Sequence, residues 1–126
     1  MGVESGIQTN GSMRGSKGDI HEGGVRVPFM IKWDHRIPRT EVNTNLISTV
    51  DIMATLCAAA NVEIPEGAAP DSRNFLSEFY FATVKSVPRT TVITASDSGN
   101  EFAIRKAGYK LILNDGSGGF SRPAGK

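Results

Sequence analysis

Residues 14–33, "RGSKGDIHEGGVRVPFMIKW", set a lysine in a glycine-rich turn directly before an extended apolar segment. From Val25 to Trp33 every second residue is apolar, and Met30 makes the opposite side partly apolar as well. This pattern predicts a strand buried on both faces, of the kind found in a parallel sheet covered by helices. Such a strand needs neighbouring strands, which nothing earlier in the chain supplies. The stretch therefore predicts the end of a larger α/β structure.

Lys17 lies within this turn, between Ser16 and Gly18. Its small neighbours leave the approach open and backbone N–H groups are close by, so the turn suits a tetrahedral anion such as sulfate or phosphate. The alternative interpretation is a solvated loop lysine, since most lysines are exposed. The stretch "GSMRGSKGD" does not have the spacing of a P-loop, and no strand precedes it. Local sequence leaves both interpretations open.

Other reactive side chains are predicted to be structural. Asp19, His21 and Glu22 are of the types that bind metals, but at these spacings on an extended segment they point to different sides. We therefore predict no metal site. Cys57 is the single cysteine, so no intrachain disulfide can form, and its apolar helical surroundings indicate a core residue.

A helix is predicted to begin at Ser48, whose hydroxyl can cap it together with Asp51 three residues on. Residues 62–72 are predicted to be a loop because of their prolines and glycine, and residues 74–81 a short second helix. Between the cap and a C-terminal cap at Asn61, one apolar stripe is formed by Val50, Met53, Ala54, Cys57 and Ala60.

The apolar period becomes two in the last third of the chain, which predicts three antiparallel strands beginning with Thr90–Ala95. A tight turn at Ala107-Gly108 joins the second strand to the third. We expect Arg105 and Lys110 on the solvated side and the helix from Ser48 as a cover for the apolar side. That apolar side contains Phe102, Ile104, Tyr109, Leu111 and Leu113.

Composition limits the function classes. The chain has 126 residues, enough for one modest domain, and its 14 basic and 13 acidic residues give a net charge of +1. No overall field therefore attracts nucleic acid or an anionic membrane. Every apolar stretch is far shorter than the ~20 residues of a membrane span.

Four stretches resemble the sulfatase family, arylsulfatases especially, and they occur in the family's order. They are "MRGSKGDIHEGGVRVPFMIKW", "NLISTVDIMATLCAAANVEIP", "APDSRNFL" and "NEFAIRKAGYKLILNDGSGGFSRP". The resemblance implies that the chain is a C-terminal fragment with an α/β fold. It implies that residues 1–44 end a large alkaline-phosphatase-like domain with a mixed sheet. Residues 45–126 would form a helix and a small C-terminal antiparallel sheet packed on it.

The resemblance also implies roles for residues. Lys17 matches the lysine that contacts sulfate in the family, whereas Glu22, Gly23, Gly24 and Arg26 match positions that shape the turn. Complete sulfatases use a formylglycine made from the cysteine of C-x-[PA]-x-R, and Ca²⁺ or Mg²⁺. Cys57 is followed by "AAAN" and is not that cysteine. We therefore expect neither a catalytic residue, a metal ligand nor a bound cofactor in this chain, and no activity from it alone.

The implied partners are the missing N-terminal region of the same protein and a sulfated small molecule or glycan, with neither nucleic acid nor membrane. The family also suggests a periplasmic or secreted location. Two alternatives remain open. One is a related hydrolase of phosphate or phosphonate esters, because an anion-binding lysine does not distinguish tetrahedral oxyanions. The other is a non-catalytic anion-binding or interaction module whose exposed strand pairs with another chain.

Overall fold

The computed structural model describes residues 10–37, 40, 42–79 and 89–122. They form a small mixed α/β structure that divides into two compact units. The first unit holds the described residues up to Phe29 and from Ile93 onward, and the second holds those from Met30 to Val92. The elements are α1 (Glu22–Val25), α2 (Ile52–Ala60), β1 (Thr91–Ala95), β2 (Phe102–Lys106) and β3 (Tyr109–Ile112), with 3₁₀ turns at Thr49–Asp51 and Leu76–Glu78.

The three strands form one antiparallel sheet in the order β1-β2-β3. The turn between β2 and β3 is the predicted one, and both of its residues have positive φ, 48° at Ala107 and 84° at Gly108. The register of β2 and β3 pairs Ile104 with Leu111, which confirms the predicted hairpin.

The face of the sheet that was expected to be solvated is the more buried one. Arg105 and Lys110 pair directly across the hairpin and are half-buried, on the same side as the buried Ala103. The prediction of a solvated side for these two cations is therefore wrong. The expected burial of the apolar residues is also not found, because the exposed ones include Ile93, Phe102, Tyr109, Leu111 and Leu113.

The helix cap in the second unit is confirmed. The backbone N–H of Ser48 donates to Asp51 Oδ2 (2.9 Å), which forms one half of a capping box, and a 3₁₀ turn leads into α2. The helix ends at Asn61, whose left-handed backbone (φ 54°) allows the Val62 N–H to reach the Cys57 carbonyl at 2.9 Å. Local sequence was sufficient to place both ends of this helix.

The core of the second unit differs from the predicted stripe. Ala54 is buried, Cys57 is half-buried, and Val50, Met53 and Ala60 are exposed. The remaining buried positions in the described part of this unit include Thr55, Phe75 and Leu76. The predicted loop 62–72 contains no helix or strand. The predicted second helix is reduced to the 3₁₀ turn Leu76–Glu78, and its last two residues lie outside the described ranges.

The predicted strand Val25–Trp33 is not formed. Val25 ends α1, residues 26–33 have no regular structure, and Val27 and Met30 are 61% and 89% exposed. The only sheet among the described residues is β1-β2-β3, so this segment has no strand to pair with. Within the described ranges, no helix has both the length and the apolar character needed to span a bilayer.

Candidate functional site

Lys17 lies at the exposed tip of residues 14–20, here called the lysine loop. Its ammonium group forms neither an ion pair nor a hydrogen bond with any residue that the structure describes. Gly15 and Gly18 flank it with φ values of 90° and 86°, a conformation that glycine adopts without strain. The loop therefore presents Lys17 to solvent on a sharply turned backbone.

Asp19 lies directly beneath this tip and is 1% exposed. Its Oδ2 accepts the backbone N–H of Ser16 (2.6 Å), and its Oδ1 accepts the backbone N–H of Ser121 (3.0 Å). Burial alone raises the pKa of Asp19, but the hydrogen bonds from Ser121 and Ser16 outweigh it and hold this pKa below its ordinary value of 3.8. An ionised carboxylate thus fastens the lysine loop from inside.

The segment 116–121, here called the glycine-serine tail, forms the other support of the lysine loop. The Ile20 N–H donates to the Ser117 carbonyl (2.7 Å), and the hydroxyl oxygens of Ser16 and Ser121 lie 3.3 Å apart. An added Cβ at Gly119 would overlap the backbone of Gly18. The two segments therefore pack backbone against backbone, although about a hundred residues separate them.

Glu22 ties the lysine loop to the hairpin. Its Oε2 accepts a hydrogen bond from Arg105 Nη1 (2.6 Å) and its Oε1 one from Lys110 Nζ (3.1 Å). Lys110 also donates to the carbonyl of Ile20. Burial raises the pKa of Glu22, but the two cations outweigh this effect, so the pKa lies below its ordinary value. Arg105 and Lys110, which were expected to be solvated, therefore bind Glu22, and Lys110 also binds the end of the lysine loop.

The possible metal ligands do not fit a metal. Both oxygens of Asp19 accept backbone N–H groups and both oxygens of Glu22 accept cationic N–H groups. His21 is buried, and no cluster of three or more His, Cys, Asp or Glu among the described residues has a metal-binding arrangement. Cys57 lies in the middle of α2 as an unpaired, half-buried thiol. No group of residues in the described ranges therefore provides a set of ligands that is free to bind a cation.

The second unit has a small pocket beside Asp51, with a cavity of about 10 Å³, enough for one water molecule. Asp51 is 1% exposed and accepts Nε of Arg89 at 2.7 Å and the backbone N–H of Arg73 at 2.9 Å. A second nitrogen of Arg89 reaches the other Asp51 oxygen and the Asp71 carbonyl. The carboxylate is therefore saturated, and this cluster is structural.

Sequence reasoning missed these partners of Asp19, Glu22 and Asp51. The partners lie 102, 83 and 38 residues away along the chain, so no local spacing could have indicated them. The glycine-serine composition of the tail was the one available signal, because small residues permit close backbone packing.

Comparison with known proteins identifies the class of this chain. It is 32% identical over 102 residues to an N-acetylgalactosamine-6-O-sulfatase of Bacteroides thetaiotaomicron, covering 81% of this chain and 19% of that protein. It is 34% identical over 99 residues to human (Homo sapiens) arylsulfatase G, covering 75% of this chain and 19% of that protein. It is also 34% identical over 68 residues to mouse (Mus musculus) steryl-sulfatase, covering 54% of this chain and 11% of that protein. No family model and no solved structure matches the chain.

These relatives are hydrolases of the sulfatase class. The chain belongs to the sulfatase family and matches a C-terminal section of its members, which confirms the resemblance found in the sequence. It spans between 11% and 19% of the length of these three relatives.

A pH prediction follows from His21, which is 8% exposed. Burial lowers its pKa from the ordinary 6.5, Arg14 and Lys110 lower it further, and Asp19 opposes them. The folded chain therefore keeps His21 neutral, whereas the unfolded chain takes up a proton as the pH falls below about 6.5. Between about pH 6.5 and pH 5 the melting temperature should fall for this reason, before the ionised Asp19 and Glu22 lose their contribution at lower pH.

Melting temperatures measured across this range test the assignment. His21→Phe should flatten the decline between about pH 6.5 and pH 5. His35→Phe is the matched control at an exposed histidine and should follow the unchanged chain. Equal slopes for His21→Phe and the unchanged chain would show that His21 does not cause the decline.

Proposed function

We propose that this chain is the C-terminal part of a formylglycine-dependent sulfatase that hydrolyses sulfate esters, and that Lys17 supplies one of the contacts to sulfate. The observation that carries the proposal is an exposed ammonium group that has no partner among the described residues, on a loop whose backbone is held by hydrogen bonds. The three relatives compared above, all sulfatases, support the choice of sulfate over other anions.

The physical role of Lys17 is the stabilisation of negative charge on sulfate oxygens. A fixed ammonium group is worth several kcal/mol to an oxyanion in a water-poor site, but little at an exposed surface where salt screens it. Because the lysine loop is already ordered by Asp19 and by the glycine-serine tail, binding need not order the backbone. Lys17 therefore becomes effective when further polypeptide closes the site.

The remaining parts of the reaction would come from outside this chain. Asp19, Glu22 and Asp51 are committed to other contacts and Cys57 lies within a helix, so we assign the formylglycine and the Ca²⁺ or Mg²⁺ of the complete enzyme to polypeptide outside this chain. Under this proposal residues 1–44 end an alkaline-phosphatase-like domain and residues 45–126 form the C-terminal subdomain. The missing N-terminal region would complete the enzyme, and the substrate would be a sulfated small molecule or glycan.

An NMR titration of the isotope-labelled chain with sodium sulfate tests the role of Lys17. We expect weak binding, with shifts concentrated at the Lys17 and Gly18 amides, and a loss of affinity of about tenfold in Lys17→Ala, or about 1.4 kcal/mol. Lys32→Met is the control, because Lys32 is an exposed lysine paired with Asp34. Shifts that spread evenly over the chain, or that persist in Lys17→Ala, would refute the role.

The same titration with phosphate addresses the related hydrolases of phosphate esters. Equal responses to both anions would show that selection of sulfate lies with polypeptide outside this chain. In an aryl sulfate assay the chain alone should give no turnover, since its sequence contains no C-x-[PA]-x-R motif from which a formylglycine could be made. Hydrolysis that disappears in Lys17→Ala would overturn the view of this chain as a part of the enzyme.

A further inference from the structure

Glu22 lies at the junction of the lysine loop and the hairpin. Its carboxylate is half-buried and divides its two oxygens between two cations, Arg105 and Lys110, whose side chains are 35% and 14% exposed. These cations are register partners on neighbouring strands, so the carboxylate is held by both strands at once. Two charge-assisted hydrogen bonds from a paired hairpin, at 2.6 and 3.1 Å, fix its position better than one exposed ion pair could.

The position of Glu22 determines the position of the backbone around Lys17, because the residues directly after Glu22 pack against that backbone. Glu22 begins the turn α1, and a Cβ added at Gly23 or Gly24 would overlap the carbonyl oxygens of Gly15 and Asp19 respectively. The three nearest atoms to an added Cβ at either glycine are all backbone atoms. Lys110 also donates to the Ile20 carbonyl, so the same cation holds the turn and the end of the loop.

We propose that Glu22 is a positioning residue that, through Arg105 and Lys110, fixes the direction in which the lysine loop presents Lys17 to an anion. This inference rests on the proposed function for its choice of anion. Charge alone predicts the opposite effect: Glu22 is an acidic group close to the loop, so neutralising it should strengthen anion binding. Positioning predicts that neutralising it weakens binding. The sign of the change therefore separates the two roles.

Glu22→Gln keeps the side-chain size and removes the charge. We expect sulfate affinity at Lys17 to fall about fivefold, which corresponds to about 1 kcal/mol, although the net charge rises by one. Glu22→Asp, which restores the charge, should recover part of the loss. The control is Glu63→Gln, which makes the same charge change at an exposed glutamate of the second unit and should leave affinity unchanged.

Amide hydrogen exchange gives a second readout that needs no anion. The amides of Ile20 and Gly23 donate to Ser117 and Arg14, and both should exchange several-fold faster in Glu22→Gln while the amides of β2 and β3 keep their protection. Equal or tighter sulfate binding in Glu22→Gln would overturn the inference, and so would unchanged exchange at these two amides. If Glu22→Gln unfolds the first unit, Arg105→Met replaces it in the exchange experiment, because that variant leaves Lys110 to hold the carboxylate. Sulfate affinity is not compared for Arg105→Met, since the loss of a positive charge weakens anion binding by itself.

The two proposals fail in different ways. If the unchanged chain shows no sulfate response at Lys17, the proposed function fails, and the exchange rates alone then decide whether Glu22 positions the loop. If sulfate binds at Lys17 equally well with and without the Glu22 charge, the proposed function stands and the positioning role is refuted.

Discussion

Gly23→Ala is expected to unfold the first unit at temperatures where the unchanged chain is folded. A Cβ at this position would overlap the carbonyl oxygen of Gly15 and lie 2.9 Å from that of Arg14. Both obstacles are backbone atoms of the lysine loop, and Asp19 and the glycine-serine tail hold that loop in place. Since no side chain can move aside, we expect a loss of about 3 kcal/mol or more in the free energy of unfolding.

Urea unfolding followed by NMR at residues of both units measures this loss. Gly11→Ala is the control in the same unit, because its backbone is left-handed (φ 57°), unlike that of Gly23, and no atom lies within 4 Å of an added Cβ. It should cost only about 1 kcal/mol, through its strained backbone. Equal losses in the two variants would mean that the overlap with the loop backbone costs no more than a strained φ, and that the contact between α1 and the loop does not set the requirement for glycine at Gly23.

Asp51→Asn is expected to destabilise the second unit by about 3–5 kcal/mol, the usual effect of removing one partner of a buried ion pair. Asp51 is 1% exposed and its partner Arg89 is 12% exposed at the side chain. The amide would leave the guanidinium without a counter-charge and would spoil the acceptors for Ser48 and Arg73. The capping box of α2 and the link to Arg89 would therefore be lost together.

Asp71→Asn is the control, because Asp71 contacts Arg89 through its backbone carbonyl and keeps that contact in the variant. At neutral pH the free energy of unfolding should be lower for Asp51→Asn than for Asp71→Asn. The pKa of Asp51 is lowered, since hydrogen bonds from Arg89, Arg73 and Ser48 outweigh the raising effect of burial. Its contribution is therefore lost as the pH falls below about 4, and Asp51→Asn should then approach the unchanged chain. A constant difference down to strongly acid pH would contradict this origin.

The features that sequence reasoning placed well are local ones. Ser48, Asp51 and Asn61 mark both ends of α2, because caps depend on residues within one turn of each other. The hairpin at Ala107-Gly108 was found for the same reason. The predicted strand Val25–Trp33 is not formed. An apolar alternation shows that a segment is able to form a strand, but the strand forms only where partner strands are available.

The faces of the sheet show a second limit of sequence reasoning. Alternation separates Leu111 from Lys110, but it does not state which side another part of the chain covers. Here Glu22 and the Ile20 carbonyl select the cationic side. For the candidate site, Lys17 was predicted from its small neighbours and from the resemblance, and its role stays a prediction. The supports of its loop were not predicted, because they come from distant segments.

The hydrogen bond between Asp19 and Ser121 also limits when the lysine loop can form during synthesis of the chain. The two residues are 102 positions apart, and a ribosome adding about 5–20 residues per second needs roughly 5–20 s to pass from one to the other. During that interval the nascent lysine segment has neither its serine partners nor its hairpin. The loop that carries Lys17 is therefore among the last parts of the chain to take shape.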